Sequence, residues 1–125
     1  MSLELPALSG KSLVADGAFD SGVISVRFVG TADAEVTKDL VSVVDKLHAE
    51  AVRLGATKVT VDFRELEFMN SSCFKILVTW LANVRELDPK QQYRIHIISS
   101  PEHHWQRRSL EALRCFAVDL VAIDS

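Results

Sequence analysis

The residues best suited to chemistry lie together in Glu67-Phe68-Met69-Asn70-Ser71-Ser72-Cys73-Phe74-Lys75. An amide and two hydroxyls stand in a row between the apolar pair Phe68-Met69 and Phe74. The segment joins the C-terminal side of a predicted parallel strand to the first turn of a predicted helix. In open α/β sheets, sites gather at that edge. Asn70 or Ser71 suits the N-cap, where a side-chain oxygen accepts from a free backbone N–H. Capping accounts for one polar residue and leaves the others unexplained. A phosphate on Ser71 would lie beside unpaired backbone N–H groups at the positive end of the helix dipole, and both favour an anion. Lys75 follows one turn later, within reach of that anion. From the residues alone, a simple cap and a phosphoserine switch are both open.

Other chemical signals are weaker. Ser9-Gly10-Lys11-Ser12 resembles the end of a phosphate-binding loop, but Leu5 stands where the motif needs glycine, and no strand–loop–helix context surrounds it. His103 and His104 are adjacent, so on a helix they point about 100° apart and do not share a metal ion. With His48, His96, Cys73 and Cys115 they show no ligand spacing, and no metal or other cofactor is expected. Trp105, Arg107, Arg108 and Arg114 read as a solvated helix face rather than a nucleic-acid patch. The Gly-x-Ser-x-Gly elbow of serine hydrolases is absent. Cys73 and Cys115 read as small packed side chains, with Cys115 buried in the last turn of its helix. No enzyme is legible.

The elements that must position the Asn70 segment follow from periodicity. Ser12 to Ala15 reads as a short extended piece, followed by the turn-prone Asp16-Gly17 and Asp20-Ser21-Gly22. Val23 to Val29 is rich in β-branched residues and closes on Gly30, as a strand does. From Ala34 to Leu54 the apolar positions Val36, Leu40, Val43, Val44, Leu47, Ala51 and Leu54 recur at helical spacing, with Gly55 at the C-cap. Val59 to Phe63 is a second strong strand. Phe74, Leu77, Val78, Leu81 and Val84 mark a helix ending before Pro89. Tyr93 to Ile98 is a strand, and Ser99-Ser100-Pro101-Glu102 is a helix start with Pro in the first turn. That helix carries Trp105, Leu110, Leu113 and Phe116, and Val118 to Ile123 makes the last strand. Strands alternating with helices predict an α/β fold. The expected sheet is mixed but mainly parallel, of about five strands, helix-covered, with its first two strands antiparallel at one end.

Composition sets the limits. The 125 residues suit one domain, expected over 12–125 after a flexible lead-in of residues 1–11. Fourteen Lys plus Arg against 17 Asp plus Glu give a net charge of −3, which removes the electrostatic reason to expect nucleic acid. No apolar run approaches the ~20 residues that span a bilayer, so no membrane insertion is expected. The first ten residues lack a secretory pattern, and two cysteines do not make a disulfide framework. The expectation is a small cytoplasmic protein.

Val59-Thr60-Val61-Asp62-Phe63 followed by Leu66-Glu67-Phe68-Met69-Asn70-Ser71-Ser72 resembles the core motif of STAS domains. That family is typified by bacterial anti-anti-sigma factors, in which a strand ending in Asp leads to an apolar pair and then Asp-Ser-Ser-Gly or Asp-Ser-Thr-Gly. Val26 to Asp33 matches the family's second strand and Gly-x-x-Asp turn. Ser99-Ser100-Pro101 and Leu110 to Phe116 match its last loop and helix. Asn70 replaces the usual Asp, Cys73 replaces the usual Gly, and the helix that closes the family's domain is missing after the final strand.

The resemblance implies a non-catalytic bacterial regulator with Ser71 as the phosphorylated serine. The expected partner surface holds Phe68, Met69, Asn70, Ser72, Cys73 and Lys75, and beside Phe68 and Met69 it extends over the exposed part of the second helix, with Trp80 a candidate. The implied partner is a GHKL-type serine/threonine protein kinase or anti-sigma factor, released on phosphorylation. Asn70-Ser71-Ser72 with Lys75 also resembles the SiaC-type regulatory phosphoproteins, which implies a diguanylate cyclase or phosphatase as partner. The alternative the resemblance allows is a STAS scaffold subunit of a larger complex that is never phosphorylated.

Overall fold

A computed structural model describes residues 2–3 and 13–124. Apart from Ser2–Leu3, the expected lead-in lies outside the described residues, as does the Ser9-Gly10-Lys11-Ser12 segment. Strand β1 (Ser2–Leu3) pairs antiparallel with β2 (Leu13–Asp20), and β2 with β3 (Val23–Ala32). Ser21 and Gly22 close that hairpin with φ of 51° and 80°. Positive φ at both central residues is the two-residue turn whose twist matches its strands, and Gly22 adopts it without strain. Asp16-Gly17, expected to turn, instead runs extended against Arg27 and Val26.

A 3₁₀ turn, Ala34–Val36, is capped by Asp33, whose Oδ1 accepts from Glu35 N at 3.0 Å. Helix α1 (Thr37–Leu54) follows and ends on Gly55 in the left-handed conformation, φ 66°. Then come β4 (Lys58–Met69), α2 (Ser71–Arg85), β5 (Arg94–Ile98), α3 (His104–Phe116) and β6 (Val121–Asp124). The sheet runs in sequence order, with β3 to β6 parallel. The expected mixed, mainly parallel sheet is present, its count of about five met by β2–β6 with β1 added at the edge. No helix among the described residues is long and apolar enough to cross a membrane.

Sequential order combined with right-handed crossovers puts all three helices on one face. There Ile24, Val26, Phe28, Val59, Val61, Phe63, Ile95 and Ile97 pack under Leu40, Leu47, Leu77, Leu81, Leu110 and Leu113. Among the described residues, the helices therefore cover one side of the sheet. On the other side the register aligns Asp16, Arg27, Asp62, Ile98 and Asp124 in one row, and Ala18, Ser25, Thr60, His96 and Ala122 in the next.

Three expectations for the helices are corrected. Ser100, Pro101 and Glu102 form a turn held by Glu102 N donating to Ser100 Oγ, so α3 starts three residues after Pro101. Buried Gln106, Leu110 and Leu113 define the inner stripe of α3, which leaves Cys115 and Phe116 exposed beyond it. Trp80 is buried rather than part of a surface.

Trp80 belongs to a polar bridge through the core. Its Nε1–H donates to Tyr93 Oη at 2.7 Å, and Tyr93 Oη lies 2.7 Å from His48 Nδ1 on α1. Indole nitrogen only donates, so Tyr93 Oη accepts from Trp80, and its own proton is free to go to Nδ1 of a neutral His48. Burial pushes the His48 pKa below its ordinary value, against a smaller opposing effect of Asp45. Its contribution to stability is complete above the unfolded value of about 6.5 and is lost as pH falls through the depressed folded value. Thermal unfolding should therefore show a stability decline below about pH 6.5 that His48→Gln, which accepts without titrating, flattens. Tyr93→Phe strands the buried indole N–H and should cost about 1–3 kcal/mol by denaturant unfolding.

Candidate functional site

The Asn70 segment sits at the C-terminal edge of the parallel strands. β4 is twelve residues long and outruns its neighbour: pairing with β5 ends at Asp62 and Ile98, while pairing with β3 continues to Ala32 and Met69. Beyond Asp62 the side facing β5 has no strand to bond. Gln106 on α3 fills that gap. Its Nε2 donates to Phe63 O at 2.6 Å and Leu66 O at 2.9 Å, and its Oε1 accepts from Ser100 N at 2.8 Å. It is a fully buried polar side chain with each of its groups satisfied. His103 adds a bond from Nε2 to Arg64 O at 3.1 Å.

So braced, β4 delivers Asn70 to the helix start. Asn70 N donates to Ala32 O at 2.9 Å, and its Oδ1 accepts from Cys73 N at 2.9 Å. Asn70, not Ser71, is the N-cap. The N–H groups of Ser71 and Ser72 have no acceptor among the described residues. Both serines are exposed, as is Lys75 one turn on; Phe68 is 47% exposed and Met69 half-buried. Phe68, Ser71, Ser72 and Lys75 are thus each exposed around the start of α2, which Asn70 caps.

Cys73 turns the other way. It is fully buried, with Sγ 3.5 Å from Asp33 O and 3.7 Å from Thr37 Oγ1. Expected at the partner surface, it instead ties the entry of α2 to the entry of α1, and burial raises its thiol pKa. The remaining polar candidates stay apart. His104 is exposed, Arg114 pairs with Glu111, and His96 lies 3.5 Å from Asp124. No group of three His, Cys, Asp or Glu among the described residues could hold a metal. An open groove of about 960 Å³ runs along the outer residues of α3 and not beside Ser71.

Sequence reasoning missed Gln106 altogether. One polar residue on the apolar stripe with Leu110 and Leu113, at i+4 and i+7, was the available signal. A buried position among aliphatics calls for a partner.

Neither a protein-family model nor a curated protein matches the chain. Among solved structures it superposes on a crystal structure of an anti-sigma factor antagonist from Mycobacterium paratuberculosis with a TM-score of 0.63. The match covers 90% of this chain and 86% of that one at 16% identity. The chain has a STAS-like fold. At this identity the likeness is one of fold, because aliphatic residues exchange freely on the inner face while the strand order and crossovers stay the same.

Gln106→Leu leaves two carbonyls and an N–H without their partner. It should cost about 2–4 kcal/mol by denaturant unfolding and speed amide exchange over residues 67–70. Asn70→Ala should cost about 1 kcal/mol, and Asn70→Asp should keep the cap. Thiol titration should count one reactive cysteine, Cys115, in the folded protein and two after denaturation.

Proposed function

We propose that this chain is a non-catalytic bacterial regulatory module, acting in the cytoplasm, that binds a protein partner and is switched by phosphorylation of Ser71. The observation that carries this reading is the exposed Ser71 hydroxyl on the first turn of α2, beside two N–H groups without acceptors. The fold it shares with an anti-sigma factor antagonist supports the same reading. A serine kinase or anti-sigma factor is the partner class that fits both.

A phosphoserine brings about −1.5 to −2 charges at neutral pH. At a hydrated helix N-terminus the fold tolerates that charge, with a gain of up to ~1 kcal/mol from the dipole. At an interface packed on Phe68, Met69 and the neighbouring surface of α2, the same charge is desolvated, and the N–H groups and Lys75 offset only part of that cost. Release follows from that contrast.

With its cognate kinase and ATP, the protein should gain one phosphate, and Ser71→Ala none. Ser71→Asp should keep the melting temperature within a few degrees while weakening the partner about 100-fold in a calorimetric titration. Labelling of Ser71→Ala as readily as wild type would refute the site. Tight partner binding by the fully phosphorylated protein would refute release. A partner bound by a chain that is never phosphorylated in its native cell would mark a scaffold instead.

A further inference from the structure

The surface around Ser71 continues into a cleft of about 150 Å³ between α1 and α2. Val44 and Trp80 are buried beneath it, and Val41, 40% exposed, is an aliphatic side chain left at its mouth. Ile76, Thr79 and Asn83 complete the walls, and Lys75 and Asp45 line it as well. Both helices follow parallel strands and begin at the same sheet edge, so they run parallel. Lys75 therefore stands at the Ser71 end of the cleft, and Asp45, one turn beyond Val41, stands further along it.

The two charges at the cleft are not taken up in ion pairs, although Asp45 acts weakly on His48 one turn away. Elsewhere on the helices Lys46 and Arg53 pair with Glu50, Arg85 with Asp119, and Arg114 with Glu111. Neither Lys75 nor Asp45 has an ion-pair partner among the described residues. An apolar notch with an unpaired cation at one end and an unpaired anion at the other specifies the chemistry of what enters it.

We infer that the α1–α2 cleft receives one leucine- or methionine-sized side chain from an amphipathic helix of the partner, whose flanking turns carry a carboxylate toward Lys75 and a cation toward Asp45. This names the partner's chemistry for the function proposed above and rests on that reading only for the partner's existence. It uses the unmodified protein, so its failure is separable from failure of Ser71 labelling.

The probes are three lactam-stapled helical peptides with a central Leu. One carries Glu a turn to one side and Arg a turn to the other, one carries Glu on both sides, and one carries Arg on both. In amide correlation spectra of the unmodified full chain, the mixed peptide should shift Val41, Ile76, Thr79 and Asn83. It should bind at least about tenfold more tightly than either single-sign peptide. Thr79→Arg, which blocks the mouth, should abolish the shifts while circular dichroism stays unchanged. Lys75→Glu should transfer the preference to the double-Arg peptide, which no loss of folding reproduces. Equal binding of all three peptides, shifts that map off the cleft, unaltered binding by Thr79→Arg, no shift with the mixed peptide at about 1 mM, or an unchanged preference in Lys75→Glu overturns the inference.

Discussion

A strand that outruns its neighbour must find other partners for its backbone, and much of this structure follows from that requirement. β4 continues seven residues past the last β5 pair, carrying Phe68 and Met69 to the sheet edge. On one side β3 accompanies it through two register shifts. On the other, a single amide replaces a strand: Gln106 binds two carbonyls of β4 and the N–H of Ser100. A buried carbonyl without a partner costs about as much as many core contacts gain. The crossover that carries α3 is thereby tied to the segment that carries Asn70.

Around that brace, the helix entries are coupled to one another. Asp33 caps the turn before α1, and its carbonyl faces both Cys73 Sγ and Thr37 Oγ1. Asn70 caps α2 and donates its own N–H to Ala32 O at the end of β3. The bridge through His48, Tyr93 and Trp80 joins the same two helices further along. Ser71 therefore sits on a turn held by Asn70 before it and Cys73 after it.

The sequence made the repeating elements legible because burial on one side leaves a period. The α1 stripe from Val36 to Leu54 with Gly55 after it, the β-branched strands and the Asn70 cap all appear in the structure near their expected places. What was not legible depended on neighbours. The extension of β4 through Arg64-Glu65-Leu66-Glu67 has no strand-like apolar alternation, and its partners are β3 and a side chain 40 residues away. Pro101 suits a first helical turn locally, yet Ser100 N is taken by Gln106, and the helix begins later. Cys73 and Cys115 look alike in sequence; helical phase alone buries one and exposes the other. At the candidate site, residue types pointed to Asn70, Ser71, Ser72 and Lys75, while the inward turn of Cys73 required the position of Thr37.

The sheet face that the described helices leave open bears on how sheets stack. Parallel strands are nearly always covered on both sides, and a flat uncovered sheet invites stacking by another, at a spacing of about 10 Å. Here the row Asp16, Arg27, Asp62, Ile98 and Asp124 crosses the middle of that face, and Arg27 and Asp62 are already paired, with Glu65 and Arg64. A second sheet laid on top would strip water from these charges while offering them nothing better. Charges set across a sheet face in this way oppose sheet-on-sheet stacking, because their hydration would be lost.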